Sequence, residues 1–341
     1  MLKESVDNII NNEFKLSDLV LCLNADENEA RELFVAADET RRKYVGDEIH
    51  LRGLIEIGNY CRCDCLYCGI RVSRKEQERY RLTKDEIITL AQHAYEVGYK
   101  SVVLQGGEDL AFSREMITEI IQNIKKNDMA ITLSLGERDF ADYSEWIAAG
   151  ADRYLLRIET TDEKLFSQLH PTGNLAARKE CIYKLKSLGY QLGSGIMIGL
   201  PGQTYEMVAR DILWLKNEAK VQMLGVGPFI PHPDTPLKDE TGGTLFEALK
   251  LIALLRIVFK TAHIPATTAL GALDTHGRER GLQCGANVIM PNITPLQNRE
   301  NYEIYPGKVY NTDSGDKSMK VIQEIAKSIG RSISASCGDV F

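Results

Sequence analysis

A short apolar run followed by an amphipathic helix recurs along this chain, and that order constrains its fold more than any other feature. Leu51–Ile57, Ser101–Gln105, Ala130–Leu135, Arg153–Ile158, Ser194–Ile198, Met223–Val226, Ile264–Thr268 and Ala286–Met290 each read as a buried strand. Helix-start signals stand between them. Thr83-x-x-Glu86 makes a capping box ahead of Ile87, Leu90, Ala91 and Ala94, which share one face, and Gly98 stops that helix. Ser113 before Glu115, Thr204-Tyr-Glu206 and Thr244-x-x-Glu247 open three more. Strict β-then-α order predicts a parallel sheet with helices outside, hence an α/β fold. Eight such units favour a closed (β/α)8 TIM barrel over an open doubly wound sheet. Residues 1–50, helical over Leu16–Leu23 and Glu29–Val45, are expected to cap the barrel's N-terminal side. The barrel is expected over residues 51–310, with a C-terminal helix and tail (311–341) closing it.

Composition narrows the function. The 341 residues are 44% hydrophobic and 26% charged, which fits a globular enzyme and excludes a disordered or collagen-like chain. A net charge of −7 offers no basic field for nucleic acid or anionic lipid. The longest apolar run, Leu251–Phe259, is interrupted by Arg256 and too short to span a bilayer. The opening MLKESVDNII has no apolar signal-peptide core. A cytoplasmic protein, free of nucleic acid and membrane, is the expectation.

Four of the eight cysteines (Cys61, Cys63, Cys65 and Cys68) fall directly after the first expected strand, where barrels carry catalytic groups. In a reducing compartment, clustered thiols hold metal more often than they form disulfides. Cys61, Cys65 and Cys68 are spaced C-x3-C-x2-C, and no second C-x-x-C or H-x3-H pair follows to complete a zinc site. Three thiolates can hold three irons of a cubane and leave the fourth open, where S-adenosylmethionine can chelate through its amino and carboxylate groups. Leu66 and Tyr67 would shield such a cluster, with Tyr67 packing on the adenine. The competing reading is a redox or structural thiol patch. Cys63 is surplus to the spacing and reads as a bystander.

That loop resembles those of radical S-adenosylmethionine enzymes. Beyond it, residues 50–310 resemble the HydE family of [FeFe]-hydrogenase maturases within the biotin synthase-like branch. The motifs are VVLQGGED (102–109), TLSLGER (132–138), ADRYLLRIET (151–160), GLPGQT (199–204), GPFIPHPDTPL (227–237), IPATTALG (264–271), CGANVIMPN (284–292) and YPGK (305–308). Biotin synthase and methylornithine synthase share the cysteine loop but not the whole set. The resemblance implies an oxygen-sensitive enzyme that cleaves S-adenosylmethionine to a 5′-deoxyadenosyl radical, in assembly of the hydrogenase two-iron subcluster. It implies a small anionic, organometallic iron substrate and two fellow maturases, HydG and HydF. A methylornithine synthase-like mutase is the alternative. Some members carry three further cysteines after YPGK, for an accessory cluster. Here residues 308–321 contain none, so one [4Fe–4S] cluster is expected.

The resemblance also assigns residues. Gly106, Gly107 and Glu108 would face the methionyl amine of the cofactor, and two glycines suit close backbone approach. Ser134, Glu159 and Arg178 would contact the cofactor's ribose and carboxylate. Arg153 and Arg157, four apart, should share a strand face and join Arg52 in or at the mouth of the barrel. Those cations either pair internally with Glu56, Glu137 or Glu159, or form an electropositive chamber for an anion. Thr132, Met223, Thr267, Thr268, Tyr302 and Tyr305 are further chamber residues by resemblance, the tyrosines as hydrogen-bond donors or radical mediators. His232 and Asp234, hemmed by prolines, are expected to shape a loop rather than bind metal.

Overall fold

The structure is a computed structural model that describes residues 1–308 and 315–339. Of the cysteine-free stretch after YPGK, residues 309–314 lie outside the described residues. Helices α1 (Leu2–Asn11), α2 (Leu16–Asn24) and α3 (Ala30–Val45) lead into β1 (Glu48–Leu51) and β2 (Gly53–Gly58). Alternation then begins with α4 (Lys84–Val97), β3 (Ser101–Gly106), α5 (Arg114–Lys125), β4 (Ala130–Ser134), α6 (Phe140–Ala148) and β5 (Arg153–Leu155). Next come α7 (Glu163–Leu169), α8 (Leu175–Ser187), β6 (Gln191–Ser194), β7 (Met197–Ile198), α9 (Tyr205–Trp214), β8 (Met223–Leu224) and β9 (Gly227–Pro228). The chain ends with α10 (Leu245–Val258), α11 (Thr268–Leu273), α12 (Gly277–Gln283), β10 (Val288–Ile289), α13 (Leu296–Arg299), α14 (Gly315–Ser328) and β11 (Ser332–Ile333).

The helix starts follow their capping chemistry. Thr83 and Glu86 satisfy each other's backbone N–H at the head of α4, and Thr244 and Glu247 do the same for α10. Ser113 and Thr204 accept from Met116 and Met207 N–H, both at 3.2 Å. Each such cap is worth about 1 kcal/mol.

Six parallel strands run β2-β3-β4-β5-β6-β8. Single bridges carry the circle on, Met223 to His263 and Pro265 to Val288, and β10 pairs with β1. Leu54 to Asn292 completes the closure. The fold is a TIM-type barrel. Period-two alternation sorts its residues: Ile55, Ile57, Val102, Leu104, Ile131 and Leu133 lie buried in the shell under the helices, while Glu56, Val103, Gln105, Thr132 and Ser134 face a central cavity.

Several strands depart from expectation. The first is broken at Arg52 into β1 and β2. The run Ile264–Thr268 forms only the bridges at its edge, because Pro265 has no N–H for a ladder and Thr268 already begins α11. The run Ser194–Ile198 splits between β6 and β7, and β7 pairs with β9 apart from the main sheet. The leading helices lie along the barrel's flank, with α2 and α3 packed on α9 and α10. That explains why α10 is buried on every face from Ala248 to Val258: one side meets the barrel and the other α1–α3. Lys250, buried within it, donates to the carbonyls of Leu23 (2.6 Å) and Ala25 (2.9 Å).

The end of the chain returns to the start of the strands. β11 pairs with β1, and Arg331 donates to the carbonyls of Asp47, Glu48, Leu282 and Ala286. Among the described residues, no helix is long and apolar enough to cross a membrane.

Candidate active site

The cysteine loop stands at the C-terminal end of β2 because its backbone is tied there on both sides. Arg62 N–H donates to the Glu108 carbonyl (3.0 Å), Leu66 to Leu169 (2.9 Å) and Gly69 to Ile304 (3.1 Å). Two glycines permit this seating. A Cβ at Gly107 would lie 2.1 Å from the Tyr60 carbonyl oxygen, and one at Gly69 would lie 2.1 Å from the Glu303 carbonyl oxygen. The close approach expected at Gly107 is therefore made by the cysteine loop itself. Asp64 turns outward to Arg71 and Ser73, while Cys61, Cys63, Cys65 and Cys68 all line one cavity of about 350 Å³.

Beside the thiols stand Tyr67, Gly106, Gly107, Glu108, Ser134, Glu159 and Arg178. Tyr67 is half-buried, its hydroxyl 2.8 Å from His170 Nε2. His170 Nδ1 donates to the Phe166 carbonyl (3.0 Å), so Nε2 accepts and Tyr67 donates. Burial holds that histidine down to about 4, hence neutral at pH 7. Glu108 accepts from Glu137 N–H (2.7 Å) and pairs with Arg62 (2.6 Å). Glu159 sits at φ +64°, a left-handed backbone that costs a non-glycine residue about 1 kcal/mol. Burial raises its carboxyl, opposed by Arg157, 2.9 Å away, and by Arg178. Arg178 is no surface residue: it pairs with Glu137 and donates to the Arg157 carbonyl.

Arg52, Thr132, Met223, Thr267, Thr268, Tyr302 and Tyr305 line the same cavity. Arg52 gives one nitrogen to the Met223 sulfur (2.9 Å), but its Nε and Nη2 are buried without partners. Thr132 Oγ1, Thr267 Oγ1, Arg157 Nε and His263 Nε2 are likewise unpartnered. Tyr305 bonds Thr268, and Tyr302 accepts from Gln105 (3.2 Å).

Arg153 does not join this chamber. β5 ends at Leu155, so Arg157 lies beyond the strand at the cavity, while Arg153, four residues earlier, lies roughly 13 Å lower. There its guanidinium meets Ser101, Gln191, the Cys337 and Gly338 carbonyls and Asp339 (2.5 Å). Its partner is the tail carboxylate rather than any of the three expected glutamates.

The thiols suit a cluster better than a lone ion. Among the described residues no three His, Cys, Asp or Glu side chains converge on a single-ion site. A cubane presents its irons at separate corners and takes spread thiolates. Burial pushes Cys65 up to about 12 and Cys68 higher still, so both ionise only against cationic charge such as iron.

Residues 55–215 match the radical SAM superfamily model. The chain is 48% identical over 304 residues, 89% of its length and 86% of the relative's, to the [FeFe] hydrogenase maturase subunit HydE of Thermotoga maritima. The chain belongs to the HydE family. It is an iron–sulfur enzyme of the radical S-adenosylmethionine superfamily. More distant is 3-methylornithine synthase of Methanosarcina acetivorans, 29% identical over 85% of this chain and 84% of the relative. A crystal structure of methylornithine synthase (PylB) shares the fold, with a TM-score of 0.81, 25% identity and 97% of each chain covered.

Three features of this HydE-family site were not read from sequence. His170 fixes Tyr67 from α7's end, at no recognisable spacing from it. His263 faces the cavity from the position just before the run Ile264–Thr268. Lys308 pairs with Glu56, both buried, and so clamps the YPGK turn to β2. Lys308 ends the YPGK motif, and the signal for its partner is a glutamate in an otherwise apolar strand. His232 does shape its loop: it is buried against Gly69, and its Nδ1 accepts from Asp234 N–H at 3.1 Å.

Proposed function

We propose that Cys61, Cys65 and Cys68 hold one [4Fe–4S] cluster and that S-adenosylmethionine binds beside it, against Tyr67, Gly106, Gly107, Glu108, Ser134, Glu159 and Arg178. Such a cluster supplies the electron that splits the cofactor into methionine and a 5′-deoxyadenosyl radical. The residues of this chain bind, orient and exclude water. The carbonyls after β3 face the cofactor's ammonium group, Glu159 its ribose, and Arg178 its carboxylate. Tyr67, fixed by His170, walls off the cysteine loop.

The observation that carries the reading is one cavity with thiols at its mouth and uncompensated donors in its depth. A buried guanidinium nitrogen without a partner costs several kcal/mol, and a bound anion removes that cost. Arg52, Thr132, Met223, Thr267 and Thr268 would hold a small anionic substrate, with Arg157, Tyr302 and Tyr305 nearest the chemistry. Likeness to HydE supports an organometallic iron species as that substrate, in assembly of the [FeFe]-hydrogenase two-iron subcluster alongside the maturases HydG and HydF. A reducing cytoplasm suits its thiols.

Anaerobic incubation of reconstituted protein with dithionite and S-adenosylmethionine tests the reading. We expect 5′-deoxyadenosine and methionine. Absence of both, with four irons bound, would reduce the protein to a cluster scaffold. The overlap with methylornithine synthase supports a second reading, an amino-acid mutase, and conversion of an amino acid by the same mixture would favour it.

A further inference from the structure

Glu159, the residue set against the cofactor's ribose, has a backbone that needs outside support. Thr160 N–H turns back to the Ile158 carbonyl (2.9 Å), closing a three-residue turn with Glu159 at its centre and at φ +64°. A turn of that kind with a positive φ is rare and strained, and such strain persists only where the surroundings over-determine it. One side is held by the barrel: Glu159 N–H donates to the Gly195 carbonyl (3.0 Å), and Met197 N–H donates to the Glu159 carbonyl (3.3 Å). The other side is held by Asp211 of α9, a fully buried carboxylate that does not line the cavity. Its Oδ1 accepts from Thr161 N–H (2.6 Å), from Thr161 Oγ1 (2.5 Å) and, at 3.5 Å, from Thr160 Oγ1. Its Oδ2 is buried with no hydrogen-bond partner among the described residues. A buried carboxylate with an unsatisfied oxygen destabilises the fold, which fits a residue kept for function rather than for packing.

We propose that Asp211 is a positioning residue for S-adenosylmethionine: by holding Thr160 and Thr161 it keeps Glu159 in its left-handed turn and aims the Glu159 carboxylate at the cofactor's ribose. This rests on the placement of Glu159 beside the ribose. The reasoning is geometric. With residues 160 and 161 released, Glu159 would relax toward negative φ. That relaxation redirects its Cα–Cβ bond, so the carboxylate would lose its line into the cavity and its contact with Arg157, 2.9 Å away. A carboxylate already in place binds its ligand without the entropy loss of being ordered at that moment. Asp211 itself touches no reacting atom, and no bond is made or broken at it.

The experiment is equilibrium binding of S-adenosylmethionine to reconstituted protein with its cluster oxidised, so that no cleavage occurs, with thermal denaturation alongside. Glu159→Ala should weaken binding about tenfold, the loss of one charged contact. Asp211→Ala should weaken it roughly threefold to tenfold. Asp211→Leu fills the space without an acceptor and should follow alanine; it also supplies the comparison if the alanine variant fails to fold. Asp211→Asn keeps an acceptor for Thr161 and should stay within about twofold of native. A double-mutant cycle decides between positioning and general loosening. In the Glu159→Ala background the same Asp211 substitution should change binding by less than about twofold while still lowering Tm, because nothing is left to position. Unchanged binding in the alanine or leucine variant overturns the proposal, as does an asparagine variant as weak as alanine. A full Asp211 effect in the Glu159→Ala background also overturns it. The placement of Glu159 fails separately: Glu159→Ala alone would bind the cofactor as tightly as native protein.

Discussion

Alanine at Cys61, Cys65 or Cys68 removes one of the three spaced thiolates, and Asp64 cannot replace it because it is held by Arg71 and Ser73. Each variant should lose the brown chromophore and cofactor cleavage together, whereas Cys63→Ala should keep most of the cleavage. Equal damage at Cys63 and Cys65, by absorbance and 5′-deoxyadenosine yield, would show the triad to be misassigned. The two arginines of β5 and its extension should separate just as clearly. Arg157 lines the cavity on Glu159, so Arg157→Ala should spare uncoupled cleavage and cut substrate-coupled turnover by about tenfold, the loss of one charged contact. Arg153 is fully buried on the tail, so Arg153→Ala leaves Asp339 and two carbonyls short of a donor and should cost about 3 kcal/mol of stability. Thermal denaturation distinguishes the two; a stable Arg153→Ala that loses turnover would return Arg153 to the chamber. The sequence predicts one strand face for both arginines, although β5 ends at Leu155, before Arg157. It could not show their depth, which depends on where the tail lands.

Among the elements, helix starts were legible because a cap is a local bargain between residues three apart, as at Thr83 and Thr244. Strand ends were not, because a ladder requires a neighbour. Pro265 and the early start of α11 cancel one expected strand, and β7 leaves the sheet for β9. The cysteine loop is the element where local and distant constraints meet, and Gly107 is the contact. An alanine Cβ there would stand 2.1 Å from Tyr60 O and 2.8 Å from Cys61 Cβ, with backbone rather than a yielding side chain in the way. Gly107→Ala should therefore shift the loop and lower iron loading well below that of the native protein, with far-UV circular dichroism nearly unchanged because the β3 ladder ends at Gly106. Full iron loading in that variant would mean that the loop is held elsewhere.

At the scale of the whole molecule, the distribution of sulfur decides how many clusters the protein can carry. Thiolates are the normal iron–sulfur ligands, and a second cluster needs a second set of them. Residues 308–321, where some HydE proteins place that set, contain no cysteine. The remaining four cysteines are dispersed. Cys22 and Cys284 are buried in the apolar core, and Cys181 lies on α8 beside Tyr143. Cys337 sits on the tail near Arg153, its thiol donating to Asp339 at 3.3 Å, at the opposite end of the barrel from the cysteine loop. No two of these four come from one element. The protein should therefore saturate at about four irons per chain after exhaustive reconstitution, with one EPR signal on reduction. If it also cleaves S-adenosylmethionine at that loading, an accessory cluster is dispensable for the chemistry. Loading that rises reproducibly to six or eight irons, with a second signal that survives loss of Cys61, Cys65 and Cys68, would contradict this and point to Cys63 or Cys337 as unexpected ligands.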